Sequence, residues 1–174
     1  MRKHYKAALL LVIAVFLLGA CSASVKEEQK AAEAAVEKAL RSDAKKTNKK
    51  NEDIQYHLPF GMEIEDAAAN NIVLKNGAKK YLLFYNQHEG SDSQVVYEAT
   101  ARQQKYDVKK TFADDDRFGF LLIKNLEKNK NEVTIGNGGI KITSEVKTRN
   151  LKSEAEIMAQ IIRSVQFNEK EGSK

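Results

Sequence analysis

The chain has 174 residues, of which 30% are charged and 42% are hydrophobic, a composition that fits one globular domain with terminal extensions. Its formal charge is +5, but Arg2, Lys3 and Lys6 precede an apolar run, and removing these three from the 29 basic residues leaves 26 against 24 acidic ones. Because nucleic-acid binders concentrate Lys and Arg in an unbalanced patch, this near-balance argues against nucleic acid as a partner.

The first predicted element is a cleaved leader over residues 1–20. The positively charged N-terminal residues are followed by "AALLLVIAVFLLGA", residues 7–20, a run of 14 residues without a charge. At about 1.5 Å per residue in a helix, this run is too short to cross a hydrocarbon core of about 30 Å. A positive segment, a short apolar run and small residues, in that order, are typical of a secretory signal.

The end of the leader carries the most specific motif of the chain. Leu18-Gly19-Ala20-Cys21 resembles the lipobox of bacterial lipoproteins, and Cys21 is the only cysteine. The resemblance implies cleavage between Ala20 and Cys21, acylation of the Cys21 thiol, and a protein held by membrane lipid on the extracytoplasmic face of the cell membrane. An ordinary secretory signal with an incidental cysteine and an uncleaved membrane anchor are the two alternatives.

Residues 21–53 are predicted to form the lipidated cysteine plus a charged helical stalk. Ser24 and Glu27 fit a capping box, and the Ala, Glu, Lys and Gln that follow favour helix. Val36 and Leu40 are the only large apolar residues of the helical pattern, so we expect a solvated helix rather than a coiled coil. A partner-binding helix, and contact of the last lysines of the segment with anionic lipid headgroups, are alternatives.

Residues 54–167 are predicted to form an α+β globular domain. Asn76-Gly77 indicates a tight turn, and the ambiguous segment 95–110 favours a short helix in its first half. Four segments predict strands, of which the last two are apolar on both faces and therefore central: "FGMEIE" (60–65), "NIVL" (71–74), "YLLFY" (81–85) and "FGFLLI" (118–123).

The stretch "EVTIGNGGIKITSEV", residues 132–146, predicts a β-hairpin. Asn137-Gly138 is the preferred dipeptide of a type I′ turn, and centring the turn there pairs Ile135 with Ile140. This alternation sorts the side chains of the hairpin into an apolar and a polar face, Val133, Ile135, Ile140 and Ile142 against Thr134, Lys141 and Thr143.

A C-terminal helix follows the hairpin. Ser153 and Glu156 fit a second capping box, and apolar residues then recur at helical spacing, namely Ile157, Met158, Ile161, Ile162 and Val165. The sequence therefore predicts an α+β fold, a curved antiparallel β-sheet with the C-terminal helix packed on one face, preceded by the solvated N-terminal helix. Residues 168–174 are predicted to be a disordered tail.

The order of these segments resembles one known group of proteins. The strand run opening with "LPFGMEIE", the inner strands, the Gly-rich "GGIKIT" hairpin and the closing "MAQIIRSVQF" are similar to the PsbP and Mog1-like group over about residues 54–167. The resemblance implies an antiparallel, strongly curved sheet with helices packed on it. Because that group hosts several functions, the resemblance carries over no functional residues.

The residue types and spacings give no catalytic or metal-binding constellation. His57 and His88 lack the spacing of zinc ligands, and with Cys21 acylated no cysteine is left as a ligand or nucleophile. The three aspartates at 114–116 are consecutive, whereas a calcium loop places carboxylates at alternate positions. We therefore expect no enzyme activity, no cofactor and no metal.

Tyr81 and Tyr85 share one face of their predicted strand, where they would form a partner-binding patch if no helix covers them. The alternative is that the tyrosines close the side of the sheet away from the helix. The leading expectation is a lipid-anchored extracytoplasmic binding or assembly module that presents its domain to a protein partner near the membrane. A small-ligand carrier or sensor, with a pocket between sheet and helix, is the alternative.

Overall fold

The structure, a computed structural model, describes residues 25–114 and 116–168. The regular elements of these residues are, in chain order, α1 (25–41), β1 (Lys49–Lys50), β2 (Ile54–Tyr56), β3 (Glu63–Ala68), β4 (Asn71–Asn76), β5 (Lys79–Tyr85), α2 (Val95–Gln103), β6 (Val108–Asp114), β7 (Arg117–Leu126), β8 (Lys130–Asn137), β9 (Ile140–Lys147), a 3₁₀ turn (Thr148–Asn150), α3 (Leu151–Ser164) and β10 (Gln166–Phe167).

The strands form two antiparallel sheets. The larger sheet has seven strands in the order β3-β4-β5-β9-β8-β7-β6 and is not closed, and a smaller sheet has the order β1-β2-β10. Five of the six neighbouring pairs of the larger sheet are consecutive strands joined by short turns, which makes them antiparallel, and the sixth pair, β5–β9, is antiparallel as well. The predicted α+β fold, an antiparallel sheet with the C-terminal helix on one face, is confirmed.

α3 packs on the sheet face that carries the apolar side of the β8–β9 hairpin. Met158 and Ile161 are fully buried in the same cluster as Ile135 and Ile142, so the predicted apolar stripe does face the sheet. The helix begins earlier than predicted, because the 3₁₀ turn leads the chain directly into Leu151. Ser153 therefore lies inside the helix, where its hydroxyl donates to the carbonyl of Asn150 at 3.1 Å.

α1 lies beside α3 on the same sheet face and runs along β7. Near its start Gln29 Nε2 donates to Asn125 Oδ1 at 2.9 Å, and near its end Leu40 packs on Gly119, where an added Cβ would lie 2.6 Å from Leu40 Cδ1. The inward side of the helix is buried over its second half, through Ala32, Ala35, Val36, Ala39 and Leu40.

The expectation of a solvated stalk over residues 21–53 is therefore wrong for α1. The helix was expected to lack a packing face because its apolar stripe consists mainly of alanines. Small side chains instead allow the helix backbone to approach the sheet closely, and only the outer side of α1 is solvated. The packed domain thus includes α1 and does not begin at Ile54.

α2 packs on the opposite face of the sheet, over β7. Val96 is buried with Phe118 and Phe120, and the ring of Tyr97 lies 5.4 Å and 5.3 Å from those two rings. These tilted contacts are a favourable aromatic arrangement. The helix confirms the preference for helix in the first half of segment 95–110, and β6 begins at Val108.

The β8–β9 hairpin has the predicted faces but a different register. Asn137 pairs with Ile140 and Ile135 with Ile142, so Gly138 and Gly139 form the two-residue turn. A slip of two residues in the pairing keeps every side chain on its face, which is why the predicted apolar and polar faces are both correct.

The glycines of this turn are required by contact with the loop that follows β5. A Cβ on Gly138 would lie 2.2 Å from the carbonyl oxygen of Gly90, and one on Gly139 would lie 2.6 Å from that of Asn86. Asn137 could not occupy the centre of the turn, because that position has no room for a side chain. The predicted pairing of Ile135 with Ile140 is thus wrong.

The other strand predictions are largely confirmed. β4, β5 and β7 contain the predicted segments 71–74, 81–85 and 118–123. The turn between β4 and β5 is shifted by one residue from the predicted Asn76-Gly77, because Asn76 pairs with Lys79 and the turn residues are Gly77, at φ 58°, and Ala78. The segment 60–65 is strand only from Glu63, because Pro59 to Met62 form a tight turn closed by a 3.1 Å hydrogen bond.

The C-terminal end of the described part is held at the small sheet. Asn168, the first residue of the predicted tail, donates from its backbone to Asp53 at 2.8 Å and from its side chain to Asn51 and Glu52 at 2.9 Å each. The rest of the predicted tail, 169–174, lies outside the described residues. Within the described part, none of the helices has both the length and the apolar character needed to span a bilayer.

Candidate functional site

One face of the seven-stranded sheet is covered by a helix over only part of its width. α2 packs over β7 and over Phe84 of β5 and Lys141 of β9, while the rest of β9 and β5 and the neighbouring β4 continue the same face without a helix above them. Val73 of β4 pairs with Leu82 of β5, which in turn pairs with Thr143 of β9, so these three side chains form a row. Leu82 is 45% exposed although it lies in an inner strand. We call Val73, Lys80, Leu82, Thr143 and Glu145 the open face.

Charged side chains of alternating sign surround the row of the open face. Two ion pairs join neighbouring strands, at 3.4 Å for Lys75–Glu63 and 2.6 Å for Lys130–Glu145. A third, Lys80–Glu65 at 2.8 Å, reaches from β5 across β4 to β3. Exposed ion pairs contribute little to stability, so these groups can exchange partners at low cost. An apolar centre with a polar rim is the arrangement found in protein–protein interfaces.

A cleft of about 980 Å³ extends from the open face around one end of β5. The ladder between β5 and β9 stops at the pair Tyr81–Ser144 although both strands continue, so the sheet opens there. The hydroxyl of Ser144 donates to the carbonyl of Lys80 at 2.7 Å at this point. Both Leu82 and Glu154 line the cleft, and we call the end at Glu154 its deep end because that side chain is buried whereas Leu82 is exposed.

Glu154 is a buried carboxylate at the start of α3. Its side chain accepts a 2.6 Å hydrogen bond from the hydroxyl of Tyr81 and forms an ion pair with Lys79. The N-terminal turn of a helix favours negative charge, so the carboxylate is stabilised from three sides. Burial, the hydrogen bond to Glu154 and its negative charge all raise the pKa of Tyr81. Tyr81 therefore stays protonated at neutral pH and acts as a donor, not as a base.

The expectation that Tyr81 and Tyr85 form a surface patch is wrong. They do share one face of β5, but it is the face that α3 covers, and each side chain is only 1% exposed. The hydroxyl of Tyr85 donates to Asp53 Oδ2 at 3.1 Å and accepts from Asn51 Nδ2 at 3.3 Å. The exposed apolar side chain of the strand is Leu82, which alternation places on the opposite face.

The two histidines of the described part lie in separate loops. His57 Nδ1 is 3.0 Å from the carbonyl oxygen of Lys46, and the backbone of His88 donates to Asn86 Oδ1 at 3.1 Å. Within residues 25–114 and 116–168, no three His, Cys, Asp or Glu side chains are grouped so that they could hold a metal ion. Arg117 pairs with Asp114 at 3.0 Å and Asp116 at 3.7 Å, while Asp115 lies outside the described residues.

Lys141 is a further charged group that the sequence did not single out. It lies where the open face meets α2, with its Nζ 3.0 Å from Thr100 Oγ1 and 5.6 Å from the centroid of the Phe84 ring. Burial lowers the pKa of Lys141, and the nearby carboxylate of Glu132 opposes that shift. The alternation of the hairpin had placed this lysine on the polar face, but only the packing of α2 shows that it is half-buried.

The predicted lipidation and cleavage positions, Ala20 and Cys21, lie outside the described residues, which begin at Val25. Comparisons of the chain with protein-family models, with curated proteins and with solved structures find no match.

Proposed function

We propose that this protein is a lipid-anchored extracytoplasmic binding module without catalytic activity, which presents the open face to a protein partner near the membrane. The motif Leu18-Gly19-Ala20-Cys21, with its single cysteine, supports the anchor. The exposure of Leu82 is the observation that supports the binding role. A leucine 45% exposed on an inner strand, with ion pairs around it, is suited to burial under a partner.

The binding role is tested by photocrosslinking in the native cell. A photoreactive side chain at Leu82 is expected to give one discrete crosslinked protein, and the additional substitution Val73→Lys, next to it in the sheet, should abolish that product. The control position is Val95 on α2, which is 54% exposed but lies outside the open face. Identical products from both positions, or none from position 82, would contradict the proposal.

A small-ligand carrier is the second candidate, and the cleft of about 980 Å³ favours it. The size lies within the range of small-molecule sites, and its deep end holds the buried polar pair Tyr81 and Glu154. Native mass spectrometry of the purified protein from its own cell distinguishes the two functions. A bound metabolite that is lost in Tyr81→Phe supports the carrier, whereas a ligand-free protein with a crosslinked partner supports the module.

The anchor has its own test. The substitution Cys21→Ser removes the thiol that acylation requires, so metabolic labelling with a radioactive fatty acid should disappear and the protein should leave the membrane fraction or stay unprocessed. Labelling and processing that are unchanged in Cys21→Ser would show that the anchor is not at this residue.

A further inference from the structure

The first described residue, Val25, lies at one end of the domain beside a cluster of cations. Val25 and Glu28 of α1 line a cleft of about 450 Å³ together with Lys128, Lys147 and Arg149. All three cationic residues are exposed, and they come from the β7–β8 turn and from the segment where β9 ends. We call Lys128, Lys147 and Arg149 the basic end.

The basic end is held in place by hydrogen bonds between its two segments. The backbone N–H and the hydroxyl of Thr148 donate to the carbonyl of Asn129 at 2.9 Å and 3.1 Å, and Asn131 Nδ2 donates to Thr148 Oγ1 at 3.0 Å. Lys128 has a φ of 59°, a left-handed conformation that residues with a side chain rarely adopt. The hydrogen bonds therefore hold the turn that carries Lys128 against the segment that carries Lys147 and Arg149.

The cations of the basic end outnumber the unpaired carboxylates beside them. Among the described residues, none of the three forms an ion pair within 4 Å. Two carboxylates are nearby, Glu28 in the same cleft and Glu127 before Lys128 in the turn. The third nearby carboxylate, Glu145, is paired with Lys130 at 2.6 Å. The basic end thus offers positive charge to a ligand.

We propose that the basic end is the surface with which the domain rests on a bilayer rich in anionic lipid. This inference rests on the proposed anchor at Cys21. Val25 is four positions after Cys21, and at about 3.3–3.6 Å per residue the chain keeps Val25 within about 14 Å of the acylated cysteine. Electrostatic attraction acts over about 8 Å at physiological salt, and each cation near an anionic surface raises association roughly fivefold.

A second set of lysines could also contact anionic lipid, as the sequence suggested, but it lies at the other end of α1. Lys45, Lys46, Lys49 and Lys50 are exposed and follow the C-terminal end of the helix. Because α1 spans residues 25–41, its ends are about 24 Å apart at 1.5 Å per residue. The position of the anchor therefore favours the basic end, and three of these four lysines provide a matched control of equal charge.

The test uses the full chain, processed and acylated, in vesicles of phosphatidylcholine alone or mixed with anionic phosphatidylglycerol. Because Cys21 is then blocked, a cysteine introduced by Glu127→Cys is the single free thiol and can carry a spin label next to Lys128. Phe60→Cys gives the distant reference position, since Phe60 is fully exposed and its turn is tied to the lysine segment through hydrogen bonds between Leu58 and Asn48. The measurement is the relaxation enhancement of the label by a paramagnetic chelate on the lipid headgroups.

In anionic vesicles we expect a several-fold stronger enhancement at position 127 than at position 60. The triple substitution Lys128→Glu, Lys147→Glu and Arg149→Glu should reduce the signal at position 127 to its value in phosphatidylcholine. The control triple Lys45→Glu, Lys46→Glu and Lys49→Glu should leave it unchanged.

The other outcomes separate this inference from the anchor. If the chain is acylated and bound but the signal at position 127 responds to neither lipid charge nor the first triple, the basic end is not the contact and the anchor stands. If the control triple alone removes the signal, the contact lies at the opposite end. If the chain is not acylated and does not sediment with vesicles, the anchor fails and the inference fails with it.

Discussion

The hydroxyl of Tyr81 donates a 2.6 Å hydrogen bond to Oε2 of Glu154, and this bond joins β5 to the first turn of α3. Glu154 is only 5% exposed, so its charge depends on partners that the protein supplies. The bond is therefore a structural tie between sheet and helix at the deep end of the cleft.

Removing the hydroxyl in Tyr81→Phe should destabilise the protein by about 1–3 kcal/mol, because Glu154 loses a donor while it stays buried. The measurement is the midpoint of urea unfolding followed by circular dichroism. A stability equal to that of the unmodified protein would show that Lys79, the other partner of Glu154, satisfies the carboxylate without Tyr81.

Tyr56→Phe is the matched substitution with the opposite expectation. The hydroxyl of Tyr56 is buried and has no hydrogen-bond partner among the described residues. Its removal leaves the ring in the core and eliminates an unsatisfied polar group, so we expect no loss, or a gain of up to about 1 kcal/mol. A clear destabilisation in the same urea experiment would indicate that the hydroxyl does have a partner.

The tyrosines also predict how stability changes at high pH. Burial, reinforced by Tyr85, raises the pKa of Tyr56 to about 12, and the pKa of Tyr81 is raised as well, whereas an unfolded tyrosine titrates near 10. The folded state holds these protons more tightly, so the stability they provide is complete below pH ~10 and is lost as the pH rises through the folded values.

We therefore expect the free energy of unfolding to fall between about pH 10 and pH 12, by about 1.4 kcal/mol per pH unit for each such tyrosine. Urea unfolding at a series of pH values measures this slope, and Tyr56→Phe should reduce it. A slope that is the same with and without Tyr56 would count against the raised pKa.

α1 is predicted to be an integral part of the folded domain. Val36 is fully buried under the helix, whereas Ala34 of the same helix is exposed. Val36→Asp should cost about 3 kcal/mol or more, because it buries an unpaired charge, and Ala34→Asp should change stability by about 0.5 kcal/mol or less. Thermal unfolding of the two variants measures the difference. Equal melting temperatures would restore the interpretation of the helix as a stalk.

Two glycines with the same backbone conformation separate conformational strain from close contact. Gly77 and Gly138 have φ of 58° and 55°, but a Cβ on Gly77 meets no atom within 4 Å, whereas one on Gly138 would lie 2.2 Å from the Gly90 carbonyl. Gly77→Ala should therefore cost about 1–2 kcal/mol, and Gly138→Ala at least about 1–3 kcal/mol more. Similar losses in urea unfolding would show that the loop after β5 yields to the new side chain.

The sequence was sufficient to predict which side chains share a face of the sheet. It was not sufficient to predict the register of the strands or which face a helix covers. Alternation placed Ile135 and Ile142 on the core side, since a period of two holds in any register. The register itself depends on the loop that approaches Gly138, a contact between segments distant in the chain. In the same way, alternation put Tyr81 and Tyr85 on one face, but only the position of α3 decides that this face is buried.

Helix α1 and Glu154 were missed for related reasons. A stripe of alanines is only weakly hydrophobic, so the sequence gives little indication that this side of α1 is buried. The helix packs closely because Gly119 has no side chain at the point where Leu40 contacts β7. Glu154 lies next to an expected capping position, where a solvated carboxylate is the usual finding. Its burial follows from Tyr81 and Lys79, which approach it from another strand. Contacts between segments that are distant in the chain cannot be predicted from local sequence patterns.

The packing of Leu40 on Gly119 has a consequence for the order of folding. α1 is made before any other described element, yet the strand that buries it is completed about eighty positions later, and such long-range contacts form slowly because the loop between them must first close. An alanine-rich helix of this length is only marginally stable alone in water. The apolar side of α1 therefore stays exposed to solvent until β7 has formed. A chain that is truncated before β7 lacks the strand surface on which α1 packs.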